Sequence, residues 1–403
     1  MAYACGGVPG LRELAKAVAW SPSLSAAVDN AYVQPVGQSQ TKDGVTVTVE
    51  YVIADQKRAN IYYTVKSGPD TELGVDPEVT DPNGEFVSCG SGTPLVEDGG
   101  LREFTVDFGE EDDPSGVHLT LSVYDNGPKA ADDAKPAPDT SYEDSMFETP
   151  DWAPDYLAVF EFDLTFDPYY TAQGEVIPVN REFTLDGQTL TVEEVEVYPT
   201  HVRVNIAEAG DENTAWLKGV SFYLENERGQ KFEPVRSGVT ASGSADSPAM
   251  MSYYLESPYF SRSQHLTLHF TGAKWLDKDK ERIRVDLDTK TAEWLPEGVV
   301  FLKADHRQGG WLVSFKAPVN PGGGFYQLFA SRFWDAAGKQ YDIMQHGSSS
   351  YSYEDPETGM WHFEEGFFEE EFPLKDFHGD TVWLEPIATR STTEDIPVTV
   401  TIK

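Results

Sequence analysis

The chain has 403 residues, of which 39% are hydrophobic and 12% aromatic, so it holds enough apolar material for several packed cores. Its 68 acidic and 30 basic residues give a formal charge of −38, which argues against nucleic acid or anionic lipid as a partner. Cys5 and Cys89 are too few for a multi-bridge disulfide framework or a four-cysteine zinc site.

The first thirty residues predict a helical lead-in. Apolar residues from Leu11 to Val18 recur at helical spacing, the pattern stops at Pro22, and Ser23 is predicted to cap a second short helix. The lead-in, residues 1–30, is interpreted either as a stalk or docking segment or as a helix packed on the first sheet. No apolar run reaches the ~18 residues of a membrane helix, so any membrane anchor is expected to lie outside this sequence.

From residue 31 onward, the pattern changes to short alternating strands separated by turns, and a cycle of features occurs three times. Each cycle opens with an acidic residue and a glycine before a strand, and later contains a polar turn with a second glycine. The spacing between the two glycines is 40, 42 and 40 residues. The opening glycines are Gly44, Gly187 and Gly298, and the turn glycines are Gly84, Gly229 and Gly338.

About six or seven short strands per ~110 residues are typical of a β-sandwich. The sequence therefore predicts an all-β chain of three tandem immunoglobulin-like β-sandwich modules behind the helical lead-in. Module 1 is predicted at residues 31–167, module 2 at 168–293 and module 3 at 294–403. In this division the strand at Ile283 closes module 2, and the strand at Val398 closes module 3.

Module 3 contains a segment, from His346 to Phe372, in which aromatic and acidic residues are interleaved. Large aromatic residues anchor interfaces, so this segment is the predicted partner-binding surface. The alternative is that its rings cap the end of the sandwich while the acids keep the hairpin soluble. The residues assigned to the surface are Tyr351, Tyr353, Trp361, Phe363, Phe367 and Phe368.

The sequence predicts no catalytic, metal-binding or cofactor-binding residues. It has no GxSxG, HExxH or P-loop motif and no GxGxxG after a strand. His265 and His269 would lie roughly 13 Å apart on one strand, which is too far to share a metal. With 68 acidic residues, chance carboxylate pairs are unavoidable, so a hydrolase would need a pocket with convergent carboxylates. We therefore expect a protein that is not an enzyme and binds no cofactor.

The order of segments near the N-terminus carries a family resemblance. Val8-Pro9-Gly10-Leu11 precedes the helical lead-in, Asn30-Ala31-Tyr32-Val33-Gln34 follows it, and two alternating strands begin at Val45 and Ile61. Residues 9–66 resemble a domain-of-unknown-function family that forms the extracytoplasmic half of membrane-anchored, anti-sigma-factor-like proteins of Gram-positive bacteria. Residues 183–205 resemble the immunoglobulin-like domain that commonly follows it. Module 3 fits only through the internal repeat.

The resemblance implies a place in the cell envelope, a membrane helix just upstream and a cytoplasmic region that would hold a sigma factor. Neither the helix nor that region is in this sequence, so the chain is not expected to bind a sigma factor itself. The resemblance assigns no catalytic or ligand-binding residue to this sequence. The resulting hypothesis is a non-enzymatic extracytoplasmic sensor or interaction ectodomain, on the cell surface, with an unknown envelope ligand or protein as partner. The alternative is a glycan-binding or adhesive cell-surface protein, suggested by the aromatic residues between Tyr351 and Phe372.

Overall fold

The computed structural model describes residues 11–67, 73–90, 100–109, 112–125, 146–147, 155–171, 173–235, 241–244, 247–319, 326–354 and 361–403. Most of these residues lie in antiparallel strands, and the strands form sheets that face each other across shared cores. The predicted all-β class and the β-sandwich modules are confirmed. The finer immunoglobulin-like topology stays a prediction.

The α-helices of the described residues are short: α1 (Leu11–Ala17), α2 (Pro22–Asp29) and α3 (Pro168–Thr171). The cap of α2 is Ser21, whose hydroxyl accepts a hydrogen bond from the N–H of Leu24 at 3.3 Å. Ser23, predicted as the cap, lies inside the helix. Proline fits the first helical position because its missing N–H has no helical partner there, so the helix begins at Pro22 and not after it.

Module 1 is a sandwich of two sheets around one apolar core. Its strands are β1 (Gln34–Lys42), β2 (Val45–Ala54), β3 (Arg58–Lys66), β4 (Leu73–Thr80), β5 (Ser88–Gly90), β6 (Leu101–Asp107), β7 (Gly116–Asp125) and β8 (Tyr156–Thr165). The first sheet has the order β1-β2-β3-β6-β5, and the second has the order β4-β7-β8. Alternation along β2 and β8 turns residues such as Val47 and Phe160 into the core.

The remaining strands build two further sandwiches. They are β9 (Glu175–Leu185), β10 (Gln188–Val197), β11 (Val202–Glu208), β12 (Ala215–Asn226), β13 (Lys231–Phe232), β14 (Ala241–Ser244), β15 (Ser247–Leu255), β16 (Leu266–Asp277), β17 (Ile283–Asp286), β18 (Thr291–Ala292), β19 (Val300–Arg307), β20 (Gly310–Pro318), β21 (Phe329–Asp335), β22 (Gln340–Asp342), β23 (Gly347–Glu354), β24 (Trp361–Lys375), β25 (Thr381–Pro386) and β26 (Arg390–Thr401). Module 2 combines β14-β15-β11-β10-β9 with β13-β12-β16-β26. Module 3 combines β19-β20-β24-β23 with β18-β17-β25-β21-β22.

The sheets do not follow the predicted boundary at residue 293. β17, predicted to close module 2, pairs with β25 of module 3, and β26, predicted to close module 3, pairs with β16 of module 2. Ile283 and Val285 are buried in the core of module 3, and Val400 is buried in the core of module 2. Both strands alternate in the same way, and alternation alone does not specify a pairing partner. Module 3 is therefore inserted between the last two strands of module 2.

The repeated polar turn has the same structure in all three modules. Its first residue, Asp81, Asn226 or Asp335, accepts hydrogen bonds from the N–H groups two and four positions later, at 2.8 to 3.0 Å. The glycine three positions later has a φ between 75° and 88°, a region that favours glycine. The repeat recognised in the sequence is thus a repeated turn structure.

The helical lead-in packs on the outer face of the first sheet of module 1. Leu14, Val18 and Leu24 form an apolar cluster with Tyr51 and Tyr62 of β2 and β3. The inner faces of the same two strands contribute to the core of module 1, so both strands are buried on two sides. Of the two interpretations of the lead-in, packing on the first sheet is the one observed.

Candidate partner-binding surface

The predicted surface lies on the hairpin of β23 and β24. β24 pairs with β20 from Lys375 to Phe367, and with β23 on its other side. Between Phe367 and Trp361, β23 is the only strand that pairs with β24 among the described residues. The described end of the hairpin, residues 351–354 and 361–363, therefore extends past the last residue pair with β20.

A bulge separates this end from the body of the sheet. The register shifts between Ser350 and Ser352, where four residues of β24 lie opposite one residue of β23. Gly366 lies in the bulge with a φ of 83°, and its carbonyl accepts a hydrogen bond from the N–H of Val319 at 2.9 Å. A side chain at this φ would strain the backbone, so glycine allows the bulge to form.

Phe368, assigned to the surface from the sequence, lies in the core instead. Its side chain has no exposure, and its ring centroid lies 5.1 Å from that of Tyr326. Phe372 is buried in the same cluster, because residues two and four positions apart on a strand share one face. The assignment of Phe368 to a partner-binding surface is therefore corrected, and for this residue the core-cap interpretation applies.

Tyr351 and Phe367 are engaged within the chain. The Nζ of Lys316 lies 4.3 Å from the ring centroid of Tyr351 and 4.2 Å from that of Phe367. It also donates to Oε2 of Glu364 at 2.6 Å, and its side chain is only 15% exposed. Cation–π contacts and a charge-assisted hydrogen bond thus join the base of the hairpin to the end of β20.

Two of the predicted residues face solvent. Phe363 is 76% exposed and Tyr353 is 44% exposed. Tyr353 pairs with His362, and Ser352 pairs with Phe363, so alternation places the two exposed aromatic rings on opposite faces of the hairpin. Trp361 pairs with Glu354 at the end of β24, but its side chain lies outside the described part of the structure.

The acidic residues of the segment divide into paired and solvated groups. Glu370 is fully buried and accepts hydrogen bonds from the N–H of Leu328 at 3.0 Å and from Nδ1 of His346 at 2.9 Å. Glu371 lies 2.8 Å from Nζ of Lys303. Glu365, two residues after Phe363 in the chain, is exposed. The acidic side chains of the segment thus include groups bonded within the chain and one that faces solvent.

A second polar cluster, not predicted from the sequence, lies where module 1 meets module 2. Asp55 is fully buried and accepts hydrogen bonds from the N–H and hydroxyl of Thr200 at 3.0 and 2.6 Å, and from the N–H groups of Lys57 and Arg58 at 2.9 Å. Asp55 and Thr200 occupy the turns after β2 and β10, strands in equivalent positions of the two modules. A polar residue in each turn was visible in the sequence, but their contact across 145 positions was not.

His201 completes this junction cluster. It is fully buried, and its ring centroid lies 5.3 Å from the centroids of Tyr198 and Tyr254. Burial, and then the charge of Arg58, lower the pKa of His201 below its usual range. Burial raises the pKa of Asp55, but His201 and the hydrogen bonds to the carboxylate outweigh it, so the net pKa is lowered. This pattern describes a structural joint with an ionised, fully bonded carboxylate.

The described residues contain no group of three or more His, Cys, Asp and Glu side chains that could hold a metal ion. His269 stacks on Tyr223 with a centroid distance of 4.9 Å. In the same part of the chain, no helix has the length and apolar character needed to cross a membrane.

Comparison with protein families matches two stretches of the chain. Residues 1–67 match a domain of unknown function, DUF4179, and residues 174–297 match a family of unknown function, DUF5643. The first match covers the lead-in and the first three strands of module 1, and the second covers module 2 without its closing strand β26. The chain therefore contains two domains of unknown function, in the two stretches that carried the family resemblance. Comparison with curated proteins found no match.

Two solved structures show remote similarity. The conserved domain protein from Bacillus anthracis is 12% identical, with a TM-score of 0.43, over 68% of this chain and 82% of that chain. The cycloalternan-forming enzyme from Listeria monocytogenes, in complex with a pentasaccharide substrate, is 9% identical, with a TM-score of 0.15, over 83% of this chain and 29% of that chain. Both TM-scores are too low to carry an argument about fold or function.

Proposed function

We propose that this chain is a non-enzymatic extracytoplasmic interaction ectodomain that binds an envelope protein or ligand through the projecting end of the β23–β24 hairpin. The observation that carries the proposal is the exposure of Tyr353 and Phe363 on a hairpin whose base is held by Lys316. A braced hairpin presents aromatic rings with little conformational entropy left to lose on binding.

The proposed location rests on the family resemblance. The matches to DUF4179 and DUF5643 support that resemblance, from which a cell-surface position and a membrane anchor upstream of the lead-in are inferred. In this proposal the chain is the sensing part of a membrane-anchored, anti-sigma-factor-like protein. The lead-in is then the part nearest the anchor, and the hairpin of module 3 receives the partner.

A site-specific crosslinking experiment tests the proposed surface. A photoreactive phenylalanine analogue is placed at Phe363, and a matched control carries it at Phe86, which is 68% exposed in module 1. When the chain is irradiated with envelope extract, we expect a saturable crosslinked product from position 363. An excess of unlabelled chain should compete this product away, whereas an unlabelled Tyr353→Ala, Phe363→Ala double variant should not. Equal products at both positions, or none at 363, would count against the proposal.

A glycan-binding role is the second candidate. The observation that favours it is a row of three rings on one hairpin face, in which Tyr351 and Tyr353 are inclined by 26°, and Tyr353 and His362 by 28°. Rows of aromatic rings offer apolar surface to the faces of sugar rings. Retention on immobilised polysaccharide that is lost in Tyr353→Ala or His362→Ala would favour this candidate over a protein partner.

The proposed lack of enzymatic activity can be tested at one arrangement in module 3. Oγ of Ser331 lies 3.4 Å from Nε2 of His346, whose Nδ1 contacts the buried Glu370. This order of groups resembles a nucleophilic triad, but a serine that histidine activates usually lies within about 2.6–3.2 Å of the ring nitrogen. Nε2 of Gln327 lies closer to the same nitrogen, at 3.2 Å. We expect no labelling of Ser331 by a fluorophosphonate, and labelling that Ser331→Ala abolishes would show a reactive serine.

A further inference from the structure

We propose that the helical lead-in is a releasable clip that holds modules 1 and 2 in one relative orientation. The lead-in contacts both modules and the joint between them, and it does so through residues outside either core. The proposal goes beyond the proposed function, because it stands whatever the β23–β24 hairpin binds.

The apolar side of the clip rests on module 1. Leu14, Val18 and Leu24 cover Tyr51 and Tyr62 on the outer face of the first sheet. None of these residues belongs to the core cluster between the two sheets of module 1. The lead-in can therefore detach without opening that core. Segments of this kind open locally at a lower free-energy cost than global unfolding.

The polar side of the clip is held by Glu256 of module 2. This buried carboxylate accepts hydrogen bonds from Oγ of Ser21 at 3.0 Å and from the N–H of Ser23 at 2.8 Å, and it also contacts Oγ of Ser23. The N–H of Ser257 in turn donates to Oγ of Ser23 at 2.6 Å. The carboxylate thus satisfies N-terminal groups of α2 and lies at the positive end of that helix.

The segment between the lead-in and β1 contacts the joint itself. The ring of Tyr32 lies 4.9 Å from Tyr170 of the linking helix α3 and 5.5 Å from Phe260 of module 2. Its hydroxyl donates to the carbonyl of Tyr170 at 2.7 Å. The lead-in and the segment after it therefore span from the outer face of module 1, past the joint, to the loop after β15.

The clip supplements the direct contact between the modules. Asp55 bonds Thr200, and the guanidinium of Arg58 lies 5.0 Å from the ring centroid of Tyr254. Asp55 and Arg58 lie at the β2–β3 turn of module 1, whereas Thr200 lies in the β10–β11 turn and Tyr254 near the end of β15 in module 2. Two bodies joined at one region and by a short linker can pivot, and a second attachment removes that freedom. The lead-in provides the second attachment.

The test removes the attachment to module 2 and follows both the lead-in and the module orientation. Glu256→Ala is compared with Glu233→Ala, an exposed glutamate of the same module, in the full chain. Bioorthogonal spin labels at the exposed residues Thr41 and Thr184 report the distance between modules 1 and 2. We expect hydrogen exchange of residues 22–29 to become at least fivefold faster and the distance distribution to broaden in Glu256→Ala alone.

Two results would overturn the proposal: faster exchange with an unchanged distance distribution, or no change in either readout. If Glu256→Ala does not fold, Ser23→Ala takes its place, because it removes one donor to Glu256 and the acceptor for the N–H of Ser257. The same two measurements, hydrogen exchange and the distance distribution, are then expected to change. Crosslinking from position 363 is measured in the same variants and is expected to be unchanged. A failure of the clip is thereby distinguished from a failure of the proposed hairpin surface.

Discussion

Glu103 links the docking of the lead-in to pH. Its side chain is buried on β6, where Asn60 donates a hydrogen bond to Oε1 at 2.8 Å and Trp20 of the lead-in donates another. Burial raises the pKa of Glu103 to about 7, although these bonds and the charge of Arg58 oppose the shift. The docked state therefore retains a proton that the uncovered carboxyl, with a usual pKa of 4.5, releases. Docking is strongest below the usual pKa and weakens as the pH rises through 7.

We expect the hydrogen-exchange protection factors of α1 and α2 to be lower at pH 8 than at pH 5.5. Protection factors are normalised to intrinsic exchange, so the comparison isolates docking from the chemistry of exchange. Glu103→Gln keeps the shape of the side chain but cannot ionise, and its protection should be independent of pH over this range. A wild-type chain with equal protection at both pH values would contradict the assignment of a raised pKa to this carboxyl.

Lys316 is the residue on which the geometry of the hairpin depends. Its contacts with Tyr351 and Glu364 tie the part of the hairpin beyond the last β20–β24 residue pair to the end of β20, and it also contacts Phe367 of that last pair. A partly buried cation–π contact contributes on the order of 0.5–2 kcal/mol. Lys316→Met should make the amides of 351–354 and 361–364 exchange several-fold faster and weaken crosslinking from position 363. Lys339→Met, which removes a cation 4.2 Å from the ring of Tyr341, is the control and should alter neither.

At the scale of elements, side chains of β1 close one side of module 1. The amides of Gln38 and Gln40 donate to the carbonyls of Asp163 and Glu161 on β8 at 3.1 and 2.5 Å. Lys42 donates to the carbonyl of Val159 at 2.6 Å. The outward carbonyls of an edge strand are thereby bonded, which protects β8 from pairing with another chain.

The contribution of this closure can be measured at one position. Gln40→Ala should lower the free energy of unfolding by about 0.5–1.5 kcal/mol, the usual range for one hydrogen bond. Gln40→Lys should retain most of the stability, since Lys42 makes the same kind of bond two residues away. Urea denaturation of the two variants gives the comparison. An equal loss of unfolding free energy in the two variants would show that the hydrogen-bond donor at position 40 is not what stabilises the closure.

Local patterns in the sequence predicted the elements but not their partners. The polar turns at Asp81, Asn226 and Asp335 follow from glycine and Asx chemistry within five residues, and they form as predicted. The aromatic and acidic segment from His346 to Phe372 was recognised in the sequence, but whether its rings are exposed or cap the sandwich was left open; Phe363 is exposed. Phe368 was misassigned because its burial depends on packing between two sheets and is not set by β24 alone.

The sequence did not predict which polar side chains are buried at contacts between elements that are far apart in the chain. Asp55 and Glu256 are acidic residues in a chain with 68 of them, and the partners that they bind in another part of the fold lie 145 and 233 or more positions away. The same limit applies to β17 and β26. The alternation in each strand fits the closing position of module 2 as well as that of module 3. Only the full set of contacts in the folded chain determines which strand closes which module.

For the whole molecule, the exchange of closing strands couples modules 2 and 3. The chain crosses between them twice, after β16 and before β26, and each core contains residues from beyond the predicted boundary. Ile283 and Val285 are fully buried in module 3. Burial of each such side chain stabilises the fold by roughly 1.5–3 kcal/mol, so a module deprived of its closing strand loses a large part of a typical domain stability.

This arrangement predicts which segments fold alone. Residues 174–297, the span of the DUF5643 match, lack β26 and should show no cooperative thermal transition by circular dichroism. Trp275 pairs with Arg390, so residues 174–277 joined by an Asn-Gly turn to residues 388–403 would restore β16 and β26 as a hairpin. We expect this rearranged chain to melt cooperatively. If residues 174–297 melt cooperatively as well, β17 takes the place of β26 in the isolated segment, and the exchange does not couple the two modules.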